Sequence, residues 1–176
     1  MAMAEKTPID ETILSDLKAQ DIDFELYEHP AFNSCEISAL WHKESGHTGQ
    51  RVKNLFLRNK NGKQHFLLML PHEYDFDKAR FKELSQQKCG LASDDRLWEF
   101  LKTKPGAVSP LSLLYDETKN VEIFIEASLL QAEQLHVHPG TSQASVALTP
   151  DALLRVLKAW GYLPHLIVWQ TSNSAD

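Results

Sequence analysis

The chain has 176 residues, 43% hydrophobic and 24% charged, and carries a formal net charge of −6. That profile suits one domain with its own core, and it excludes both a disordered chain and a mini-scaffold dependent on disulfide or metal staples. The acidic balance excludes a protein that coats nucleic acid through bulk charge. The opening residues lack an apolar signal region, and the longest apolar run, Phe66-Leu67-Leu68-Met69-Leu70, is too short to cross a bilayer. Cys35 and Cys89 make no disulfide framework and fit a reducing cytoplasm.

Residues 8–20 read as a first helix, with Pro8 near its start and Ile9, Ile13, Leu14 and Leu17 at helical spacing. Residues 24–28 alternate as a strand, which His29-Pro30 stops. Asn33 or Ser34 caps a short helix to Leu40 or His42. Residues 52–58 and 64–70 form a β-hairpin around Asn61-Gly62. Helices follow over 77–86 and from the Ser93 cap to Leu101 or Lys102. A loop bounded by Pro105 and Pro110 comes next, then a strand at 121–125 and a helical turn or two at 127–132. Strands at 135–138 and 145–148 flank Pro139-Gly140-Thr141. Thr149 caps a final helix with Pro150 at its first position, ending near Gly161, and residues 166–169 add an edge strand. Residues 171–176 read as a frayed tail. Strands and helices without strict alternation predict a single α+β or mixed α/β domain over residues 1–170.

Charge is uneven. Residues 45–72 contain no Asp or Glu but hold Arg51, Lys53, Arg58, Lys60 and Lys63, so this stretch carries +5 and the rest −11. Such a patch suits a short anionic ligand, for example a few phosphates at one end of a polynucleotide, or it is simply the solvated face of a hairpin.

Lys53 enters an otherwise apolar run and must reach an edge, a partner or a ligand. Its ordinary reading is a solvent-facing strand residue. Gly106-Ala107-Val108-Ser109-Pro110 combines small residues with a rigid end. Its main-chain N–H groups can hold an anion or a developing oxyanion, although such a loop can equally be a plain connection. His136 and His138 share a strand face, which is half of a zinc site lacking a third ligand. There is no nucleophile elbow, P-loop or dinucleotide fingerprint, and nothing marks Cys35 as an activated thiolate.

Several segments stand in a known order: Tyr27-Glu28-His29-Pro30-Ala31-Phe32, Lys53-Asn54-Leu55-Phe56-Leu57-Arg58, His65-Phe66-Leu67-Leu68-Met69-Leu70-Pro71, Gly106-Ala107-Val108-Ser109-Pro110-Leu111 and His138-Pro139. Together they resemble the freestanding prolyl-tRNA editing proteins of the YbaK / prolyl-tRNA-synthetase-associated domain family, over nearly the whole chain. The resemblance implies a compact α/β domain built on a curved, mostly antiparallel mixed sheet surrounded by helices. It implies hydrolysis of mischarged tRNA, most often alanine on tRNA for proline, with cysteine or serine as the amino acid in relatives. It implies catalytic roles for Lys53, Gly106, Ser109 and His138, and an amino-acid pocket drawn from Asn54, Ala107, Val108, Pro110, His29, Phe32 and Pro139. Lys53 and the 106–110 loop are then expected to border one hollow about the size of a methyl group. Arg51, Arg58 and Lys60 are expected to steer the tRNA acceptor end. Gly140, Thr141 and Ser142 stand where relatives often carry Asn, and Asn33 where many carry Thr, and both differences bear on the amino-acid pocket.

The chemistry is consistent with these residue types. A synthetase pocket made for proline cannot strongly reject alanine, because each missing methylene is worth only about 1–3 kcal/mol, whereas a second, smaller pocket can exclude proline. The scissile ester is already activated by the α-ammonium group, so positioning does much of the work. No metal or cofactor is expected. The expected partners are the CCA end of tRNA, that of tRNA(Pro) first, and prolyl-tRNA synthetase, with no DNA and no membrane. The Met1 start favours action in trans in the cytoplasm. The rivals are a deacylase for Cys- or Ser-tRNA, a non-catalytic tRNA- or synthetase-binding module, and a metal-dependent hydrolase using His136 and His138.

Overall fold

Side-chain caps set where the helices begin. Asp10, Asp77, Ser93 and Thr149 each turn a side-chain oxygen onto free N–H groups of the following turn. The computed structural model describes residues 7–31, 40, 41, 43, 44, 46 and 49–170. Along them run α1 (Glu11–Ala19), β1 (Glu25–Glu28), β2 (Gln50–Asn59), β3 (His65–Pro71), α2 (Lys78–Ser85), β4 (Cys89–Leu91) and α3 (Asp94–Leu101). A 3-10 turn (Pro110–Tyr115), β5 (Val121–Glu126), a second 3-10 turn (Ala127–Gln131), β6 (Leu135–Val137), β7 (Ala144–Leu148), α4 (Pro150–Ala159) and β8 (His165–Ile167) follow.

The strands form one mixed sheet in the order β1-β7-β6-β2-β3-β5-β8, with β4 attached to β2. The pairs β1–β7, β6–β7, β2–β3 and β2–β4 are antiparallel, while β2–β6, β3–β5 and β5–β8 are parallel. The β2–β3 hairpin is the one predicted from Asn61-Gly62. Gly62 takes φ +72°, and the Asn59 carboxamide oxygen accepts the N–H groups of Lys63 and Gln64. The Arg96 guanidinium of α3 donates to the Gly62 carbonyl at 2.9 Å and tethers the tip.

β3 is buried along its whole length, as expected of a strand covered on both faces. On one face Leu67 and Met69 join Val52, Phe56, Ile123 and Ile125 under α1, α3 and α4. On the other, Phe66, Leu68 and Leu70 join Leu57 and Phe124 around Phe81 of α2. The Phe81 ring meets Phe66 and Phe124 edge-on, at centroid distances of 5.6 and 5.3 Å.

Three details differ from the sequence reading. α1 starts at Glu11, because Asp10 is its cap and Pro8 lies outside it. β4 is only three residues long and leaves no periodic signal. Pro110 ends the loop and also opens a 3-10 turn, capped by the Ser109 hydroxyl. Leu40 and Trp41 are helical, but the proposed caps Asn33 and Ser34 lie outside the described residues. No helix among the described residues is long and apolar enough to cross a membrane.

Candidate functional site

β2 and β6 run parallel and then part. They pair at Gln50↔Leu135 and Arg51↔His136, and β4 takes the same edge of β2 only from Leu57 onward. Between these contacts no strand among the described residues covers that edge. Parallel strands that separate leave a crevice beyond their paired ends, which is where open α/β sheets take ligands. Lys53 and His138 each stand two residues past the last pair, on the two strands that border this opening.

Neighbouring residues of β2 serve opposite faces. Lys53 leaves on the face of Leu55 and Leu57, where its Nζ donates to the Tyr74 carbonyl at 2.5 Å. It forms no ion pair among the described residues. Asn54 leaves on the face of Val52 and Phe56, the face packed by Val108 and Leu111. It is therefore Asn54, and not Lys53, that shares a face with the 106–110 segment. The shared hollow expected for Lys53 and the 106–110 loop is therefore not found on one face, because alternation along β2 turns the Lys53 side chain the other way. The Asn54 Oδ1 atom is buried with no hydrogen-bond partner among the described residues. A buried acceptor left unmet costs about 1–3 kcal/mol, which a ligand donor would recover.

The 106–110 loop is held by its own ends. The Ala107 N–H donates to the Lys104 carbonyl at 3.1 Å, and the Thr103 hydroxyl donates to the Ala107 carbonyl. The Ser109 hydroxyl accepts from Leu111 N–H at 3.1 Å and caps the following 3-10 turn. Pro110 fixes the exit at the first turn position. The Gly106, Val108 and Ser109 N–H groups meet no acceptor among the described residues. Gly106 has φ +87°, and a Cβ there would touch nothing within 4 Å. The glycine is required by the backbone, and it faces open space.

The histidines are arranged for one tautomer each. His138 Nδ1 donates to the Ala144 carbonyl at 2.8 Å, which leaves the Nε2 lone pair of the neutral ring free. His29 Nδ1 lies 2.9 Å from the Pro30 carbonyl, and its Nε2 accepts from the Ser145 hydroxyl at 2.8 Å. The two rings are 6.3 Å apart, so His29 braces His138 from behind. Ser145 has no sequence signal beyond alternation in β7. Pro139 is buried and accepts the Asp10 N–H at 2.9 Å. His136 is buried and stacks near Tyr27, at 6.0 Å between centroids. Among the described residues no group of three or more His, Cys, Asp or Glu is placed to hold a metal ion. Phe32 lies outside the described residues.

The basic residues do not form one patch. Arg51 and Lys60 are nine residues apart on β2 and its turn, about 30 Å along an extended chain. Lys60 is exposed at the hairpin tip, where it lines an open hollow of about 560 Å³ with Asn59, Asn61, Gln87 and Lys88. Arg58 folds back onto the Asn59 and Lys60 carbonyls at 3.3 and 3.4 Å.

Burial pushes His65, His72 and His138 below the ordinary histidine range. Arg51 and Lys53 lower His72 further, and His29 lowers His138. The native state therefore binds protons less readily than the unfolded chain, whose histidines titrate near 6.5. Stability should be level above about pH 6.5 and fall as the pH drops below it. Thermal unfolding at pH 7.5 and 5.5 checks this, with a lower midpoint expected at 5.5 and equal midpoints counting against it.

Comparison with known proteins shows the family. The sequence pattern described as "Aminoacyl-tRNA editing domain" matches residues 35–156. The chain is 33% identical over 153 residues to the prolyl-tRNA editing protein ProX of Acetoanaerobium sticklandii, covering 86% of this chain and 92% of the relative. It is 29% identical over 154 residues to the prolyl-tRNA synthetase associated domain-containing protein 1 of Danio rerio, covering 86% and 82%. A solved structure of a candidate trans-editing enzyme for prolyl-tRNA synthetase superposes with a TM-score of 0.72 at 18% identity, over 96% of this chain and all of that one. This chain belongs to the aminoacyl-tRNA editing domain family and acts as a hydrolase of mischarged tRNA.

Proposed function

We propose that the protein hydrolyses alanine from tRNA for proline, in trans. The observation that carries this reading is the chemistry on one face of the sheet. Asn54 Oδ1 is an unmet acceptor, and Val108 and Ser109 bear unmet N–H donors on the segment packed against that face. An aminoacyl ester offers the complementary pair, an α-ammonium donor and a carbonyl acceptor. The ammonium meets Asn54, and the N–H groups stabilise the oxyanion as charge develops on the carbonyl oxygen.

In this reading Lys53 binds a phosphate or the ribose of the terminal adenosine, using donors beyond the one given to Tyr74. A water held at His138 Nε2 attacks the ester carbonyl carbon. The bond from that carbon to the ribose oxygen breaks, the ribose oxygen takes the proton released by the attacking water, and free alanine leaves. The vicinal 2′-OH lies within reach of the ester and orients the water. Arg51 and Lys60 contact separate stretches of the acceptor strand, in keeping with their separation along β2. The relatives named for prolyl-tRNA editing support the tRNA and a link to prolyl-tRNA synthetase. The free Cys89 thiol fits action in the cytoplasm.

Deacylation of purified Ala-, Ser-, Cys- and Pro-tRNA in the presence of a chelator tests the reading. Ala-tRNA(Pro) should be cleared at least about tenfold faster than Pro-tRNA(Pro), the size of effect that pocket exclusion supplies. Preference for Cys- or Ser-tRNA overturns the substrate, and loss of activity in the chelator overturns the metal-free mechanism.

A further inference from the structure

The two loops of the site come from distant parts of the chain, yet both are tied to Asp10. Its backbone N–H donates to the Pro139 carbonyl at 2.9 Å, next to His138. Its Oδ2 accepts the Tyr115 hydroxyl at 2.5 Å, and Tyr115 closes the 3-10 turn that Ser109 and Pro110 open. Its Oδ1 accepts the Thr12 and Ile13 N–H groups at 3.0 and 3.2 Å, which fixes the carboxylate to the rigid start of α1.

The fit on the histidine side is close. Gly140 has φ +79°, and a Cβ there would lie 2.7 Å from the Asp10 Cβ. The turn therefore sits directly against Asp10 with no room for a side chain between them. Burial and the Asp10 carboxylate push the Tyr115 phenol up to about 12, so this hydroxyl stays a donor at every working pH.

We propose that Asp10 is a positioning residue of the editing site, which sets the separation between the His138–Pro139 turn and the 106–110 loop and thereby the size of the amino acid admitted. The proposal rests on the functional reading above. Asp10 touches neither ester nor water. It acts through Tyr115 on one side and through Pro139 and Gly140 on the other. A carboxylate is suited to the task because its two oxygens serve two elements at once, while its own main chain serves a third.

Because Asp10 is also a helix cap, alanine would confuse the roles. Asp10→Ser keeps a good cap but is too short to reach Tyr115, and Tyr115→Phe removes the same bond from the other end. Both variants should unfold within a few degrees of wild type. Both should lower kcat on Ala-tRNA(Pro) about tenfold with KM little changed, since a displacement well under 1 Å costs that much. The ratio of Ala-tRNA(Pro) to Pro-tRNA(Pro) hydrolysis should fall by a similar factor in each, because the loosened pocket admits the larger residue. Asp10→Asn, which keeps the side-chain length and a polar atom at the Oδ2 position, should recover part of that ratio.

A purely structural role would lower the unfolding midpoint and leave kcat and the ratio of the folded protein unchanged. That result in both Asp10→Ser and Tyr115→Phe overturns the proposal while the functional reading stands. A wild-type protein inert on every aminoacyl-tRNA overturns the functional reading first, and the proposal with it.

Discussion

Replacing Lys53 with alanine should reduce kcat/KM on Ala-tRNA(Pro) about 100-fold or more while leaving the fold intact, because a charge-assisted contact made in a desolvated crevice is lost. The ammonium sits on a neutral carbonyl, that of Tyr74, and not on a carboxylate. Such a cation is half-satisfied at rest and available to an anion. The side chain emerges where β6 has left β2 and β4 has not yet joined it, so ligand can approach around the open edge. Little stability should depend on it, since the residue is only half-buried and makes no ion pair among the described residues. Lys53→Arg should recover only part of the activity, because a planar fork does not replace a compact ammonium. Single-turnover deacylation at subsaturating substrate is the measurement. Intact hydrolysis by Lys53→Ala removes this residue from the reaction.

The largest loss of stability should come from Asp116→Ala. This carboxylate is only 2% exposed and lies just after the first 3-10 turn. Its Oδ1 accepts the Asn120 N–H at 3.1 Å, and its Oδ2 accepts the Val121 N–H at 2.9 Å and the Tyr162 hydroxyl at 2.8 Å. Burial and this carboxylate hold the Tyr162 phenol far above its usual range, so it remains a donor. Truncation leaves three donors without their acceptor, each worth about 1–3 kcal/mol when unmet. Allowing for water and for the other carbonyls near Tyr162, the net cost should be about 3–5 kcal/mol, a large share of the stability of an ordinary domain. Tyr162→Phe should cost only about 1 kcal/mol, since Oδ2 keeps the Val121 N–H. Urea unfolding of both variants checks the order, and a loss under about 1 kcal/mol for Asp116→Ala would contradict it.

The sequence was most legible where the deciding contacts are local. Asp77, Ser93 and Thr149 cap helices within three residues of themselves, and Asn61-Gly62 closes a hairpin whose partners adjoin it. Of the segments carrying the family resemblance, those of Lys53 and His138 stand two residues past the last β2–β6 pair. The parallel pairing of Arg51 with His136 was not legible, because the long stretch between them carries no sign of it. Which of Lys53 and Asn54 shares a face with the 106–110 loop depends on which face of β2 that loop covers, and spacing alone leaves this open. In the sequence Asp10 falls inside the first predicted helix and Asp116 carries no signal of its own. Their importance comes from Tyr115 and Tyr162, which tertiary packing brings to them. Of the two readings that charge left open, a patch for a short anion and the solvated face of a hairpin, geometry favours the second, because an extended strand carries its two ends apart.

The edge of the sheet also has a bearing on how the chain is made. Among the described residues β1 pairs only with β7, at registers such as Tyr27↔Ser145, and α1 is anchored to the Pro139 carbonyl through the Asp10 N–H. During synthesis the β2–β3 ribbon can close as soon as it emerges, whereas α1 waits for the 3-10 turn that carries Tyr115, and β1 waits for β7 in the last quarter of the polypeptide. The strand β1 is thus a latecomer to assembly, and the sheet takes final shape only when translation is nearly complete.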